Sequence, residues 1–318
     1  MRVNEKRNEI RLTKDQASAI LYSWLGLKTP CTGIERLGGF YGAVHRLTFE
    51  RPPYTAIVKL HSGQDDSLGR ERECLRFLRE RTSMPIPAVY HFDASASAIP
   101  YSFLVMECMP GVNLESARLT ESQRVSVERE LADVLIELHS FTAQTFHGVT
   151  EPAGATNWLD VFLPALEENR RDMEALLSDD MLELLDKVLP LAEHALRCHG
   201  EPTLIHSDLW SANIMVQERE GDWHLSGVLD PGGLRYAEVE MELSYLEVFK
   251  TVGQEFFRVY TARRPLRPGY HYRRLFYWLD TFMTHIWLGF GPKYQLRLAA
   301  TCKKILAMSR EHGPAGEL

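Results

Sequence analysis

The segment TLIHSDLWSANIMV, residues 203–216, places His206, Asp208 and Asn213 in one short run bounded by apolar residues. A carboxylate such as Asp208 can take the proton of an attacking hydroxyl. An amide oxygen five residues later, at Asn213, is a ligand for a hard metal ion such as Mg²⁺. A second carboxylate, Asp230, closes the apolar run SGVLD and is followed by Pro231, Gly232 and Gly233. Lys59 is the lone charge at the end of YTAIVKL. Phosphoryl transfer from ATP needs a proton acceptor, oxygen ligands for Mg²⁺ and a cation on the phosphates, and these residues supply all three. Glu71 shares its helical phase with Leu75 and Leu78, at i, i+4 and i+7, so it is the expected partner of Lys59. Glu73 is the alternative, on another face of the same helix.

Each piece alone has an ordinary reading. An HxDxxxxN loop arises in common turns, a strand-end lysine is usually solvated, and Asp before Pro-Gly forms turns. The order is what separates the readings. A Gly-containing hairpin, a strand Lys, a helix Glu, an apolar strand with a hinge, HxDxxxxN and a strand-end Asp follow one another as the parts of a kinase do.

These residues need elements to hold them. Apolar Ala17, Ile20, Leu21 and Trp24 recur at helical spacing over 14–26. IERLGGFYGAVHRLTFE reads as two strands around a glycine-containing bend, and YTAIVKL as a third after Pro52-Pro53. LGRERECLRFLRER is helical, and PYSFLVMECMPG is a strand ended by Pro110-Gly111. Beyond it the pattern turns helical, in ESQRVSVERELADVLIELHSF, WLDVFLPALEENRRDMEALL and DMLELLDKVLPLAEHALRC. The Asp208 segment and WHLSGVLD interrupt the helices as strands around the turn Glu220-Gly221-Asp222, and the chain from about residue 240 is helical again. A strand-rich first third and a helical remainder predict two lobes with a cleft between them.

Bulk properties exclude several classes. A chain of 318 residues, 45% hydrophobic, can fill two cores, and a net charge of −7 argues against a nucleic-acid backbone binder. The start, MRVNEKRNEIRLTKDQ, has no apolar leader. The most apolar late stretch, LFYWLDTFMTHIWLGF, is broken by Asp280 and His285 and is too short and polar to span a bilayer. Five scattered cysteines with no CxxC pair suggest neither disulfides nor a zinc site, which fits the cytoplasm. His139 reads as a packed, hydrogen-bonded histidine, and the aromatic cluster Tyr270, Tyr272, Phe276, Tyr277, Trp278 and Phe282 as helix core, part of which could line a sugar- or amine-binding wall.

With the motifs in view, HSDLWSAN followed by LDPGG resembles the HGDLxxxN and D-x-x motifs of the aminoglycoside phosphotransferase and choline kinase superfamily. The Leu-Trp-Ser and Asp-Pro pieces look most like its fructosamine (ketosamine) kinase branch. WLDVFLPALEENR, YAEVEMELSYLEVF and YWLDTFMTHIWLGFGPKY resemble further segments of that branch, and His285 falls where the branch has a His. The chain departs from the pattern at Ser207, usually Gly, at Val239, usually Arg, and at Glu242, usually Asp. The hairpin LGGFYGAV also lacks a GxGxxG.

The expected fold is α+β and protein-kinase-like, with a small strand-rich N-lobe over 1–109 and a larger, mostly helical C-lobe over 110–318. The expected activity is ATP- and Mg²⁺-dependent phosphorylation of a small-molecule hydroxyl, on an amino-sugar or ketosamine-type acceptor. Asp208 is the expected base, Asn213 and Asp230 the metal ligands, and Lys59 and Glu71 the phosphate-holding pair. The hinge MECM is expected to meet the adenine edge through Glu107 and Met109. A cationic acceptor would suit Glu238, Glu240, Glu242 and Glu247. The rival readings are an aminoglycoside-type antibiotic kinase and a nucleotide-binding pseudokinase that serves as an interaction module. Neither nucleic acid nor membrane is an expected partner.

Overall fold

Helix α1 (Lys14–Leu25) begins where Thr13 and Gln16 cap each other's backbone N–H groups, at 3.2 and 3.0 Å, in the computed structural model, which describes residues 10–38, 42–62 and 66–312. The bend of the LGGFYGAV hairpin at residues 39–41 and the charged start of the chain, residues 1–9, lie outside the described residues. The chain forms two compact units. One comprises the residues up to Leu119 with Ala212–Gly233, the other Thr120–Ser211 with the chain from Leu234 onward.

The first unit is built on an antiparallel sheet. Strands β1 (Cys31–Gly38), β2 (Ala43–Phe49) and β3 (Thr55–His61) follow one another, then helix α2 (Ser67–Arg81), then β4 (Val89–Asp93) and β5 (Ser102–Met106). The sheet order β1-β2-β3-β5-β4 makes β3 the central strand. Ala56, Val58 and Leu60 of β3 alternate onto one face and join Ala17, Ile20 and Leu21 of α1 in a core. The two-residue period of a strand therefore turns Lys59 to the other face. Helix α2 buries Leu68, Glu71, Cys74, Leu75 and Leu78 along one side. The sequence pattern missed β4, because VYHFD is short and half-buried throughout, with no alternation to read. A short strand, β6 (Val112–Asn113), follows β5.

The second unit starts with α3 (Glu121–Leu138), capped reciprocally by Thr120 and Gln123. It continues through β7 (His147–Gly148), α4 (Leu159–Asp172), α5 (Asp179–Val188), α6 (Leu191–Leu196) and β8 (Thr203–Ile205). The run DMLELLDKVLPLAEHALRC is two helices, α5 and α6, divided at Leu189-Pro190 because proline cannot donate a helical hydrogen bond. The chain then contributes the hairpin β9 (Ile214–Arg219) and β10 (Asp222–Val228) to the first unit, where β9 pairs with β6. Glu220 and Gly221 both take positive φ, 54° and 85°, the geometry of a tight two-residue turn. Back in the second unit, β11 (Arg235–Ala237) lies between β7 and β8. Helices α7 (Val239–Val248), α8 (Gln254–Arg263), α9 (Tyr270–Trp287) and α10 (Pro292–His312) complete it.

Tyr270, Tyr272, Phe276, Tyr277 and Phe282 are buried along α9, most of them within one core cluster of the second unit. The structure is thus α+β, with a strand-rich first unit and a mostly helical second. Among the described residues no helix is long and apolar enough to cross a membrane, and all five cysteines are free thiols.

Candidate active site

In the first unit, Lys59 reaches out from the central strand and donates to Glu71 Oε1 at 2.5 Å and to Asp230 Oδ1 at 3.1 Å. Its side chain is 16% exposed, that of Glu71 7% and that of Asp230 50%, so the ammonium bridges a buried carboxylate to one that meets solvent. Burial disfavours the Lys59 charge, but Glu71 and Asp230 outweigh it and hold the ammonium above the usual lysine range. Burial likewise pushes the Glu71 carboxyl up, against the pull of Lys59. Glu73 turns elsewhere, to Arg72 at 2.7 Å and Arg76 at 2.5 Å.

Asp230 follows β10 with φ 61°, in the left-handed region, which re-aims the chain at the strand's end. Two backbone bonds fix this corner: Val228 N–H donates to Pro85 at 2.7 Å, and Leu229 N–H to the Asn213 carbonyl at 2.8 Å. The second bond ties the backbone of Asn213 to the residue before Asp230. Glu107 exchanges two hydrogen bonds with Ala88, its N–H donating at 2.8 Å and its carboxylate accepting at 3.0 Å. Met109 packs on Gly227, where any Cβ would stand 3.1 Å from its side chain.

The second unit carries Asp208 on the loop after β8. Tyr245, on α7, donates its phenol to Asp208 Oδ1 at 2.6 Å. The backbone of the same loop is clamped by Glu242, also on α7. Its buried carboxylate accepts the N–H groups of His206 at 3.2 Å and Ser207 at 2.9 Å. His139 Nε2 lies 2.8 Å from Glu242 and its Nδ1 2.7 Å from the Tyr260 hydroxyl, so His139 is a fully buried member of this network. Burial disfavours the Glu242 charge, but His139 and the His206 backbone bond hold its carboxyl below the usual range. Ser207 takes φ 74°, a conformation that glycine adopts freely and that costs another residue on the order of 1 kcal/mol. The position is therefore occupied here under strain.

The acidic residues considered for a cationic acceptor are spent internally. Glu238, Glu240 and Glu242 are at most 1% exposed. Arg267 pairs with Glu238 and Glu240 at 3.0 and 3.1 Å, Arg273 grips Glu240 at 2.7 Å, and Arg274 pairs with Glu247. Glu240 and Glu247 are met from α9 by Arg273 and Arg274, Glu238 by Arg267 and the Gly200 backbone, and Glu242 by His139 and the loop of His206 and Ser207. His285 donates from Nδ1 to the Thr281 carbonyl at 2.7 Å and stacks on Tyr294 at 4.7 Å. Tyr245 has no signal in the sequence, since its hydroxyl meets Asp208 only through the placement of α7.

The donor set can be tested against Mg²⁺. Asn213 and Asp230 offer oxygen ligands only, and Asp230 meets solvent. Among the described residues no group of three or more His, Cys, Asp or Glu side chains is arranged to hold a metal. Two oxygen side chains without a full cage fit an ion that keeps waters and phosphate oxygens in its shell.

A sequence model of the phosphotransferase enzyme family matches residues 33–276. The chain belongs to that family. The match takes in Lys59, Glu71, Asp208, Asn213, Asp230 and Tyr245, and it agrees with the superfamily that the motifs resemble. The probable ketoamine kinase of Staphylococcus aureus is 30% identical over 154 residues, 47% of this chain and 51% of that protein. The chain thus spans about half the length of that relative, and 40% and 34% of the probable ketoamine kinases of Vibrio parahaemolyticus and Synechocystis. The fold is shared with a Haemophilus somnus protein assigned as a fructosamine-3-kinase, at TM-score 0.71 and 17% identity, over 91% of this chain and 96% of that one. It is shared also with a thermostable mutant of aminoglycoside phosphotransferase APH(4)-Ia, solved with AMP-PNP and hygromycin B. There the TM-score is 0.68 and the identity 17%, over 92% of this chain and 98% of the other.

Proposed function

We propose that the protein transfers the γ-phosphoryl group of ATP to a hydroxyl of a small-molecule acceptor of the ketosamine type. The observation that carries this reading is the Lys59 ammonium, held between Glu71 and Asp230 at 2.5 and 3.1 Å. A buried lysine with two carboxylate neighbours is a fixed cation, suited to steady a phosphate tail. The family match and the ketoamine kinase relatives support the reaction class and the choice of acceptor.

In this reading the chain up to Met109 handles the nucleotide, with the backbone of Glu107 and Met109 meeting the adenine edge. The chain from Pro110 onward supplies the base, the metal ligands and the acceptor contacts. Asn213 and Asp230 hold Mg²⁺, which when bound offsets the charge of the phosphates. Asp208 accepts the proton of the acceptor hydroxyl as its oxygen bonds to the γ-phosphorus. The bond to the bridging oxygen breaks and ADP leaves with the electron pair.

Purified protein should phosphorylate fructosyl-lysine or ribulosyl-lysine in the presence of ATP and Mg²⁺. Asp208→Asn should lower that rate by roughly 10²–10⁴, with nucleotide affinity retained. Transfer to aminoglycosides alone would replace the acceptor. Wild-type turnover in Asp208→Asn would remove the base. No transfer and no ATP hydrolysis with any acceptor would favour an interaction module.

A further inference from the structure

We infer that Tyr245 is a positioning residue for the reaction, holding the Asp208 carboxylate in the orientation from which it accepts a proton; the inference rests on the function proposed above. Helix α7 grips the Asp208 loop twice from one face. Glu242 binds the backbone N–H groups of His206 and Ser207, and Tyr245, three residues further along the helix, binds the side chain of Asp208. The i, i+3 spacing puts both grips on the same side of the helix.

The contact is a phenol O–H donating to a carboxylate at 2.6 Å, the short kind expected when the acceptor is charged. Tyr245 is only half-buried, so water could satisfy its hydroxyl, and burial alone does not require this partner. Its ring is held in turn by Phe249, one helical turn on, with centroids 4.6 Å apart and planes at 56°. The phenol is therefore aimed before any substrate arrives.

An aspartate side chain otherwise rotates about two bonds, and a base must lie within hydrogen-bond reach of the proton it takes. With Oδ1 held by Tyr245, the direction of Oδ2 is set as well. In a loose phosphoryl-transfer transition state little depends on the strength of the base and much on the alignment of the attacking oxygen. Orientation therefore governs, and losing the phenol should slow the reaction.

The test is Tyr245→Phe, which keeps the ring and its packing on Phe249 and removes only the hydroxyl. Two rates are measured with Mg²⁺ and ATP: transfer to ribulosyl-lysine, and hydrolysis with water as the acceptor. Both kcat values should fall roughly ten- to hundredfold, because misplacing a reacting group costs about that much. The KM for ATP should stay within about twofold, and the thermal midpoint should not move. A kcat within about twofold of the parent, or a fall that only tracks a lower melting temperature, would overturn the inference. Asp208→Asn is assayed in parallel to separate the causes. An active Asp208→Asn removes the base, and the role of Tyr245 with it. An inactive Asp208→Asn beside a fully active Tyr245→Phe removes the positioning role alone. Hydrolysis without transfer to ribulosyl-lysine revises the acceptor and still reads the effect of Tyr245.

Discussion

Lys59 Nζ lies 2.5 Å from Glu71 Oε1 and 3.1 Å from Asp230 Oδ1, so one ammonium joins a nearby helix carboxylate to a strand-end carboxylate that lies 171 residues from the lysine in the chain. Partners within one such network lose their contributions together. Lys59→Ala and Glu71→Ala should each lower kcat/KM, and the double variant should fall short of their sum by roughly 0.5–3 kcal/mol. Glu73→Ala should change little, since its carboxylate is engaged with Arg72 and Arg76 at the helix surface. Steady-state kinetics on the four variants checks this. Strict additivity between positions 59 and 71 would return Lys59 to the role of an ordinary buried lysine.

Asp230 faces solvent with half of its side chain while one oxygen accepts from Lys59. If it also ligates Mg²⁺, Asp230→Ala should weaken nucleotide binding far more with the metal than without it. Calorimetric titration of ATP in Mg²⁺ and in EDTA compares the two. Equal losses in both would assign Asp230 to Lys59 alone.

Asp280, on α9, is pushed up to about 6 by burial, against the hydrogen bond from Asn169 at 2.7 Å and the charge of Arg235. Its folded pKa thus lies above its unfolded one. Below about pH 3 the group is protonated in both states and costs nothing. Between about pH 4 and 6 the unfolded chain has released its proton while the folded chain still holds it, so stability is lost across that window and no further above the folded value. Asp280→Asn keeps an oxygen for Asn169 and removes the buried charge. It should stabilise the protein by about 1–2 kcal/mol at pH 7.5, after allowance for partial exposure, and by nothing at about pH 3. Urea denaturation at the two pH values measures this, and a parent more stable than the variant at pH 7.5 would refute it.

Much of the strand-rich unit was legible because its signals are local. YTAIVKL becomes β3 (Thr55–His61), and its alternation alone separates Lys59 from Val58 and Leu60. The phase of Glu71 with Leu75 and Leu78 points it inward on α2, where all three are buried. The turn at Glu220-Gly221 and the strands beside it were readable for the same reason. VYHFD was not, because a half-buried strand with no alternation has no period to detect.

By itself the sequence determined the family, the order of the chemical parts and the elements that carry them, because motifs and periods of two or 3.6 residues are written in neighbouring positions. Tertiary structure alone decided which side chains meet. It set the Tyr245 phenol on Asp208, the Glu242 carboxylate under the loop of His206 and Ser207, and Asp230 beside Lys59. It also buried Glu238 and Glu240 against Arg267 and Arg273, where the sequence left them available to a cationic acceptor. Contacts of this kind depend on how helices and strands pack against one another. That packing is settled by many apolar side chains at once and leaves no mark on the few residues that come to touch.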